Sequence, residues 1–141
     1  MTAPDRTGGG LQRAATRAFQ EAGLDPEAVA WVSAHATSTR FNDAMEAAGL
    51  RALFGSRIPP VHGAKPVTGH TLGASGLVEV LLCVEALRRR VRPPTHTPRA
   101  RDLALADVPM DVAATALAGD VALTLNSAMA GHNTAILLGA P

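Results

Sequence analysis

Aromatic side chains are scarce in this sequence, 3% of its 141 residues with no tyrosine, which removes the stacking platforms that hold single-stranded nucleic acids. Charge is thin as well, at 18% and a formal net of +1, so there is no basic field to draw in a polyanion. Cysteine occurs once, at Cys83, which excludes an internal disulfide and suits a reducing compartment. No apolar run approaches the roughly 20 residues of a membrane-spanning helix, and the polar, glycine-rich residues 1–10 contain no apolar signal core. These absences lead to the expectation of a cytoplasmic protein with no membrane span and no nucleic-acid partner. Lysine is as scarce as cysteine: twelve of the 13 basic residues are arginine, and the remaining one is Lys65.

What is present is a globular composition, 47% hydrophobic, in a length that suits one domain over 1–141 with a flexible lead over residues 1–10. Leu11, Ala14, Ala15, Ala18, Phe19 and Ala22 recur at helical spacing, with Gly23 as the stop and Leu24 as the apolar contact behind it. Asp25-Pro26-Glu27 opens a short helical turn. Ala30 to Ala34 reads as a buried strand delivering His35, Thr37 and Thr39 to its carboxyl end, where α/β sheets bind ligands. A second helix, capped by Asn42 or Asp43, runs to Gly55 with Met45, Ala48, Leu50, Leu53 and Phe54 on its apolar face. Val61 to Ala64 is a second strand, again followed by polar residues.

From Leu72 to Leu87 apolar residues cover nearly every side of a helical wheel, interrupted only by Glu79 and Glu85. That pattern predicts a helix surrounded by protein, capped by Thr68 or Thr71. Residues 95–119 read as irregular, and Val121 to Leu125 with Ala135 to Leu138 as a hairpin. The order α-β-α-β-α-β-β predicts an α/β fold in which helices cover a mixed sheet.

The chemistry concentrates between Ala64 and Gly76, where Lys65 and His70 precede the buried helix among Gly69, Gly73 and Gly76, small residues suited to close packing. A compact ammonium reaches into a tight polar pocket that a planar guanidinium does not fit, and this reading is preferred over the lesser alternative of a chance lysine on the surface. His35 and His70 both follow strands, so two neutral imidazoles can donate N–H groups to an oxygen gathering negative charge. Taken singly, each is as readily a satisfied core or surface histidine. Glu79 either pairs with Lys65 or reaches solvent along a polar stripe. A zinc site lacks thiolate or carboxylate ligands at the required spacing, and neither phosphate-binding glycine motif is matched. Cys83 sits mid-helix among Leu81, Leu82 and Val84 with no base nearby, the setting of an inert thiol.

Four segments, in order, carry a resemblance. Val32-Ser33-Ala34-His35-Ala36-Thr37-Ser38-Thr39 looks like a His-Gly-Thr-x-Thr segment, and Asn42-Asp43-Ala44-Met45-Glu46-Ala47 like its Asp-x-x-Glu-Ala continuation. Lys65 to Gly76, with Glu79, is similar to Lys-x-x-x-Gly-His-x-x-Gly-Ala-x-Gly. Asn126-Ser127 and Gly131-His132-Asn133 are similar to an Asn-Ser-Phe-Gly-Phe-Gly-Gly-x-Asn loop. Over residues 10–140 the chain thus resembles the C-terminal half of the β-ketoacyl-acyl carrier protein synthases, ketosynthases of the thiolase superfamily in fatty acid and polyketide biosynthesis, and within them those of bacterial polyene-type pathways.

The resemblance implies the C-terminal half of a thiolase-like fold and an acyltransferase activity, the decarboxylative Claisen condensation of acyl and malonyl groups. It implies that His35 and His70 are the catalytic histidines, with Lys65 and Glu79 as a supporting ion pair and Thr37 and Thr39 on the phosphopantetheine arm. No bound cofactor is expected, because the substrates ride on the phosphopantetheine of an acyl carrier protein. The departures are also informative. The family's nucleophilic cysteine belongs to an N-terminal half that is absent here, and Cys83 does not match it. The gating phenylalanines are replaced in the loop of Ala128, Met129 and Ala130, Ala36 stands for a glycine and Arg40 for a proline. The expectation is therefore a ketosynthase half that needs a partner supplying the cysteine, in a hetero- or homo-oligomer. The alternatives are a non-catalytic subunit comparable to a chain-length factor, or a degenerate fragment.

Overall fold

The computed structural model describes residues 5–96 and 105–140. Helix α1, Gly9–Ala22, buries Leu11, Ala15 and Phe19, one face at a four-residue spacing. It starts inside the stretch expected to be a flexible lead, and it stops at Gly23, whose φ of 64° is left-handed. The Leu24 N–H then closes back on the Phe19 carbonyl at 3.1 Å. Strand β1, Val29–Ala34, follows a 3-10 turn over Pro26–Ala28. Helix α2, Arg40–Phe54, begins earlier than a cap at Asn42 or Asp43 would allow: Thr39 holds the cap position, and Asp43 lies in the first turn, where its charge suits the helix dipole.

Strand β2, Val61–Gly63, leads into the short helix α3, Lys65–Thr68, and a 3-10 turn, Leu72–Ala74, before helix α4, Ser75–Arg89. Neither Thr68 nor Thr71 caps α4, because these intervening turns place Ala74 at its N-cap. Strands β3, Val91–Arg92, and β4, Thr115–Ala116, pair antiparallel as a small separate sheet. This corrects the irregular reading of residues 95–119 at its end: two-residue strands are too short to show periodicity. Residues 97–104 of that stretch lie outside the described residues.

Strands β5, Val121–Ser127, and β6, Asn133–Gly139, complete a four-stranded sheet in the order β2-β1-β5-β6. Strand β1 runs parallel to both β2 and β5, and β6 returns antiparallel as the expected hairpin. The carboxyl ends of three parallel strands therefore open at one edge, carrying His35, Lys65 and Asn126. Alternation divides the sheet. Val32, Ala34, Leu123 and Leu125 pack with α1 and α2, whereas Trp31 and Ala122 pack with Cys83, Ala86 and Leu87 of α4. The result is three layers, α1 and α2 over the sheet over α4, the α/β architecture that the element order predicts.

One expectation fails on α4. Its sheet-facing side is buried, but Leu77, Leu81 and Val84 are 63%, 58% and 47% exposed, an apolar stripe at helical spacing with no protein over it among the described residues. The central layer predicts a steep contrast in tolerance. Leu123→Ala, at a fully buried site on β5, lowers the unfolding free energy by about 2–5 kcal/mol in a denaturant titration, whereas Val112→Ala, 82% exposed, changes it by less than about 0.5 kcal/mol.

Candidate active site

Lys65 begins α3 immediately after β2, and its ammonium turns inward. It donates to Oε1 of Glu79 on α4 and to the backbone carbonyl of His35. Both partners are closed to water, Lys65 at 7% exposure and Glu79 at 1%, so the buried alternative holds for each. Burial raises the Glu79 carboxyl above its usual range, and the Lys65 hydrogen bond and charge pull it back. The other carboxylate oxygen, Oε2, accepts from Nδ2 of Asn126 at 2.6 Å. Asn126 in turn places Oδ1 3.3 Å from Nδ1 of His35. A closed ring of polar contacts thus runs from the His35 carbonyl through Lys65, Glu79 and Asn126 to the His35 imidazole.

The His70 ring stands edge-on to that of His35, centroids 5.8 Å apart and planes at 86°. The two differ in setting. His35 is buried, and burial together with the Lys65 charge pushes its pKa down to about 4, so it is neutral at physiological pH. His70 is exposed on the rim. Its Nδ1 receives the Leu72 backbone N–H at 3.1 Å and lies 3.1 Å from the Ser75 hydroxyl. A backbone N–H only donates, so this nitrogen bears the lone pair and neutral His70 carries its proton on Nε2. Leu72 adopts a φ of 51° in making that contact, a left-handed strain for a branched side chain.

Glu46 is a site residue that the helical pattern concealed. Buried on α2, it accepts the backbone N–H of His35 at 2.6 Å and of Ala36 at 2.9 Å, pinning the loop that carries the histidine. Burial pushes its carboxyl up to about 7 against those two donors. The available signals were its place as the glutamate of the Asp-x-x-Glu-Ala segment and an acidic residue beside Met45 in an apolar helix face. Ala36 has a φ of 42°, and a Cβ at Gly63 would come within 2.8 Å of the Ala36 methyl, so glycine at 63 makes room for the alanine. Thr37 and Thr39 follow on the same loop, their hydroxyls 3.3 Å apart, with Asn42 donating to Thr37 at 3.1 Å.

The glycine reading needs correction. Nothing lies within 4 Å of a Cβ built at Gly69 or Gly73, and only Gly76 touches the site, at 3.6 Å from Nδ2 of Asn126. Gly69 serves instead through its φ of 71°, which ends α3. In the loop of Ala128, Met129 and Ala130, Ala128 is extended and a 3-10 turn over Met129–Gly131 crosses the β5–β6 hairpin, with Met129 78% exposed and Ala130 at φ 62°. Cys83 is fully buried below the site, and burial pushes its thiol up to about 12, which leaves it without nucleophilic character.

The His70 ring, edge-on to that of His35 above a buried ion pair, has an Nε2–H that can donate to an oxygen gathering negative charge. The family model "Beta-ketoacyl synthase, C-terminal domain" matches residues 1–98, and the chain belongs to this family. It is 36% identical over 146 residues to 3-oxoacyl-acyl-carrier-protein synthase 2 of Mycobacterium bovis, an alignment covering 99% of this chain and 33% of that protein. It is 35% identical to the putative polyketide beta-ketoacyl synthase 1 of Streptomyces cyaneus, covering 100% of this chain and 34% of that one. The ketosynthase ApeO, solved in complex with its chain length factor ApeC from Xenorhabdus doucetiae, superimposes with a TM-score of 0.92 at 32% identity, over 100% of this chain and 36% of that one. The fold is accordingly the thiolase-like ketosynthase fold, and the chain spans about a third of the length of the relatives it matches. Among the described residues no helix is long and apolar enough to cross a membrane.

Two outcomes follow from the electrostatics. Glu79→Ala leaves the Lys65 ammonium buried without its carboxylate and costs about 3–5 kcal/mol of stability, most of which returns when Lys65→Met is combined with Glu79→Leu, both read by denaturant unfolding. Glu46 has a raised folded pKa, so its contribution is full below its ordinary value of 4.5 and is lost as pH rises through about 7. The stability difference between the wild type and Glu46→Gln therefore falls by about 3 kcal/mol between those limits and is flat above them.

Proposed function

We propose that this chain forms part of a β-ketoacyl-acyl carrier protein synthase, catalysing decarboxylative Claisen condensation of an acyl group with a malonyl group carried on an acyl carrier protein. The observation that carries the reading is the buried Lys65–Glu79 pair tied to both ends of His35. Ion pairs in a dry interior are expensive to assemble, and here the whole network serves to place one imidazole beside another. In the reaction, the carbon–carbon bond to the malonyl carboxylate breaks, carbon dioxide leaves, and its electron pair becomes an enolate. The enolate oxygen accepts the Nε2–H of His70, and the carbanion attacks the acyl thioester and expels the thiolate. Thr37 and Thr39 hold the phosphopantetheine arm at the mouth of the site.

The thiolate comes from a further ketosynthase portion, since Cys83 is buried and held protonated. That portion also covers the α4 stripe of Leu77, Leu81 and Val84 and the exposed rim at His70. The Xenorhabdus relative, a ketosynthase in complex with a chain length factor, supports a partner of ketosynthase type. A second reading, a non-catalytic subunit comparable to a chain-length factor, is favoured by one feature: the Ala128–Ala130 loop presents no aromatic gate.

The test mixes the chain with candidate ketosynthase partners, a malonyl-carrier and an acyl-carrier substrate, and measures carbon dioxide release and condensation product. His35→Ala and His70→Ala each lower both by about 10²- to 10³-fold. Unchanged rates with an intact complex sink the catalytic reading and leave the interaction subunit. Leu81→Arg breaks the association while the isolated chain stays folded.

A further inference from the structure

We propose that Asn126 is a positioning residue that fixes the tautomer of His35, holding its proton on Nδ1 so that His35 meets the site with an Nε2 lone pair while His70 meets it with an N–H. The inference rests on the ketosynthase reading only for the use made of the pair. Its basis is a chain of donors and acceptors in which each contact has one possible sense.

Lys65 is the starting point. Its ammonium only donates, and it donates to Oε1 of Glu79. With that cation against it, the carboxylate remains an acceptor, so the group facing Oε2 at 2.6 Å is the amide nitrogen of Asn126 and not its oxygen. The Asn126 side chain is then oriented, and Oδ1 is the atom that faces His35 at 3.3 Å. A carbonyl oxygen only accepts, so the proton sits on His35 Nδ1. A neutral imidazole has one N–H, which leaves Nε2 bare. In His70 the logic runs the other way, because the Leu72 N–H occupies Nδ1.

Strand register makes the coupling possible. Asn126 follows Ala122 and Thr124 on the face of β5 turned toward α4, and His35 follows Trp31 and Ser33 on the same face of β1, with Ser33 opposite Thr124. Among the described residues neither Nε2 makes a hydrogen bond, so both are available to a ligand. The two imidazoles are thus not equivalent donors, as their positions in sequence suggest. They form one donor and one acceptor, and a ligand bound between them is asked for an oxygen at His70 and a hydrogen at His35.

Nitrogen-15 correlation spectra of the histidine-labelled chain at neutral pH read this directly, because protonated and bare ring nitrogens resonate far apart. His35 is assigned among the five histidines by its loss in His35→Gln. The expected result is Nδ1–H for His35 and Nε2–H for His70. In Asn126→Leu the majority of His35 moves to Nε2–H, the form a free imidazole prefers. Asn126→Asp, protonated against Glu79, keeps an oxygen for His35 and restores Nδ1–H. Finding His35 as Nε2–H in the wild type overturns the proposal, as does Nδ1–H that persists in a folded Asn126→Leu variant. If that variant does not fold, the wild-type spectrum alone decides. No substrate or partner enters the measurement, so its failure is distinct from a failure to find condensation.

Discussion

One ion pair shut away from water sets the terms for the rest of this molecule. Lys65 and Glu79 come from different elements, α3 and α4, and their contact holds the loop after β2 against the helix that lies under the sheet. A charge in that position without its partner is among the more destabilising defects a domain can carry. The remaining valences are filled by the His35 carbonyl and by Asn126, from β1 and β5. Four elements of the fold therefore depend on the same two charges, and so does the position of the first histidine.

Strain gathers where this network meets the surface. Of the non-glycine residues in left-handed backbone, Ala36, Ser38, Leu72 and Ala130 lie on loops leaving the edge where β1, α3 and β5 end, while Arg90 caps the far end of α4. Each costs on the order of 1–3 kcal/mol, which the surrounding hydrogen bonds must offset. For Ala36 the offset is visible: the Glu46 carboxylate grips its N–H, and Gly63 leaves space for its methyl. For Leu72 the gain is the hydrogen bond that orients His70. Backbone geometry and imidazole protonation are in this way one design problem.

Much of the fold was legible residue by residue. Leu11, Ala15 and Phe19 announce α1, and Leu123 with Leu125 announces a strand buried on one side, because local periodicity is enough for such elements. His35, Lys65, His70 and Glu79 could be singled out because they stand against apolar or glycine-rich surroundings. Glu46 and Asn126 stood inside matched segments but could not be given roles, because their partners, the N–H groups of His35 and Ala36 for one and Glu79 with His35 for the other, come from other elements. The all-round apolar character of α4 predicts a covered helix, and the stripe at Leu77, Leu81 and Val84 shows that the described residues supply only part of the cover. Composition records that a side chain is fit to be buried, not which polypeptide buries it.

The sequence by itself determined the α/β order, the family resemblance and the residue types able to hold a developing negative charge, since these follow from spacing along one chain. Only the tertiary structure decided that β1 and β5 lie side by side in a register that brings His35 to Asn126, and that Asn126 reaches Glu79 across to α4. Those contacts join residues far apart in the chain, and their sense as donors or acceptors comes from atoms of three elements at once. Protonation at a single ring nitrogen is therefore a property of the assembled layers, set by the register of two parallel strands over a buried ion pair.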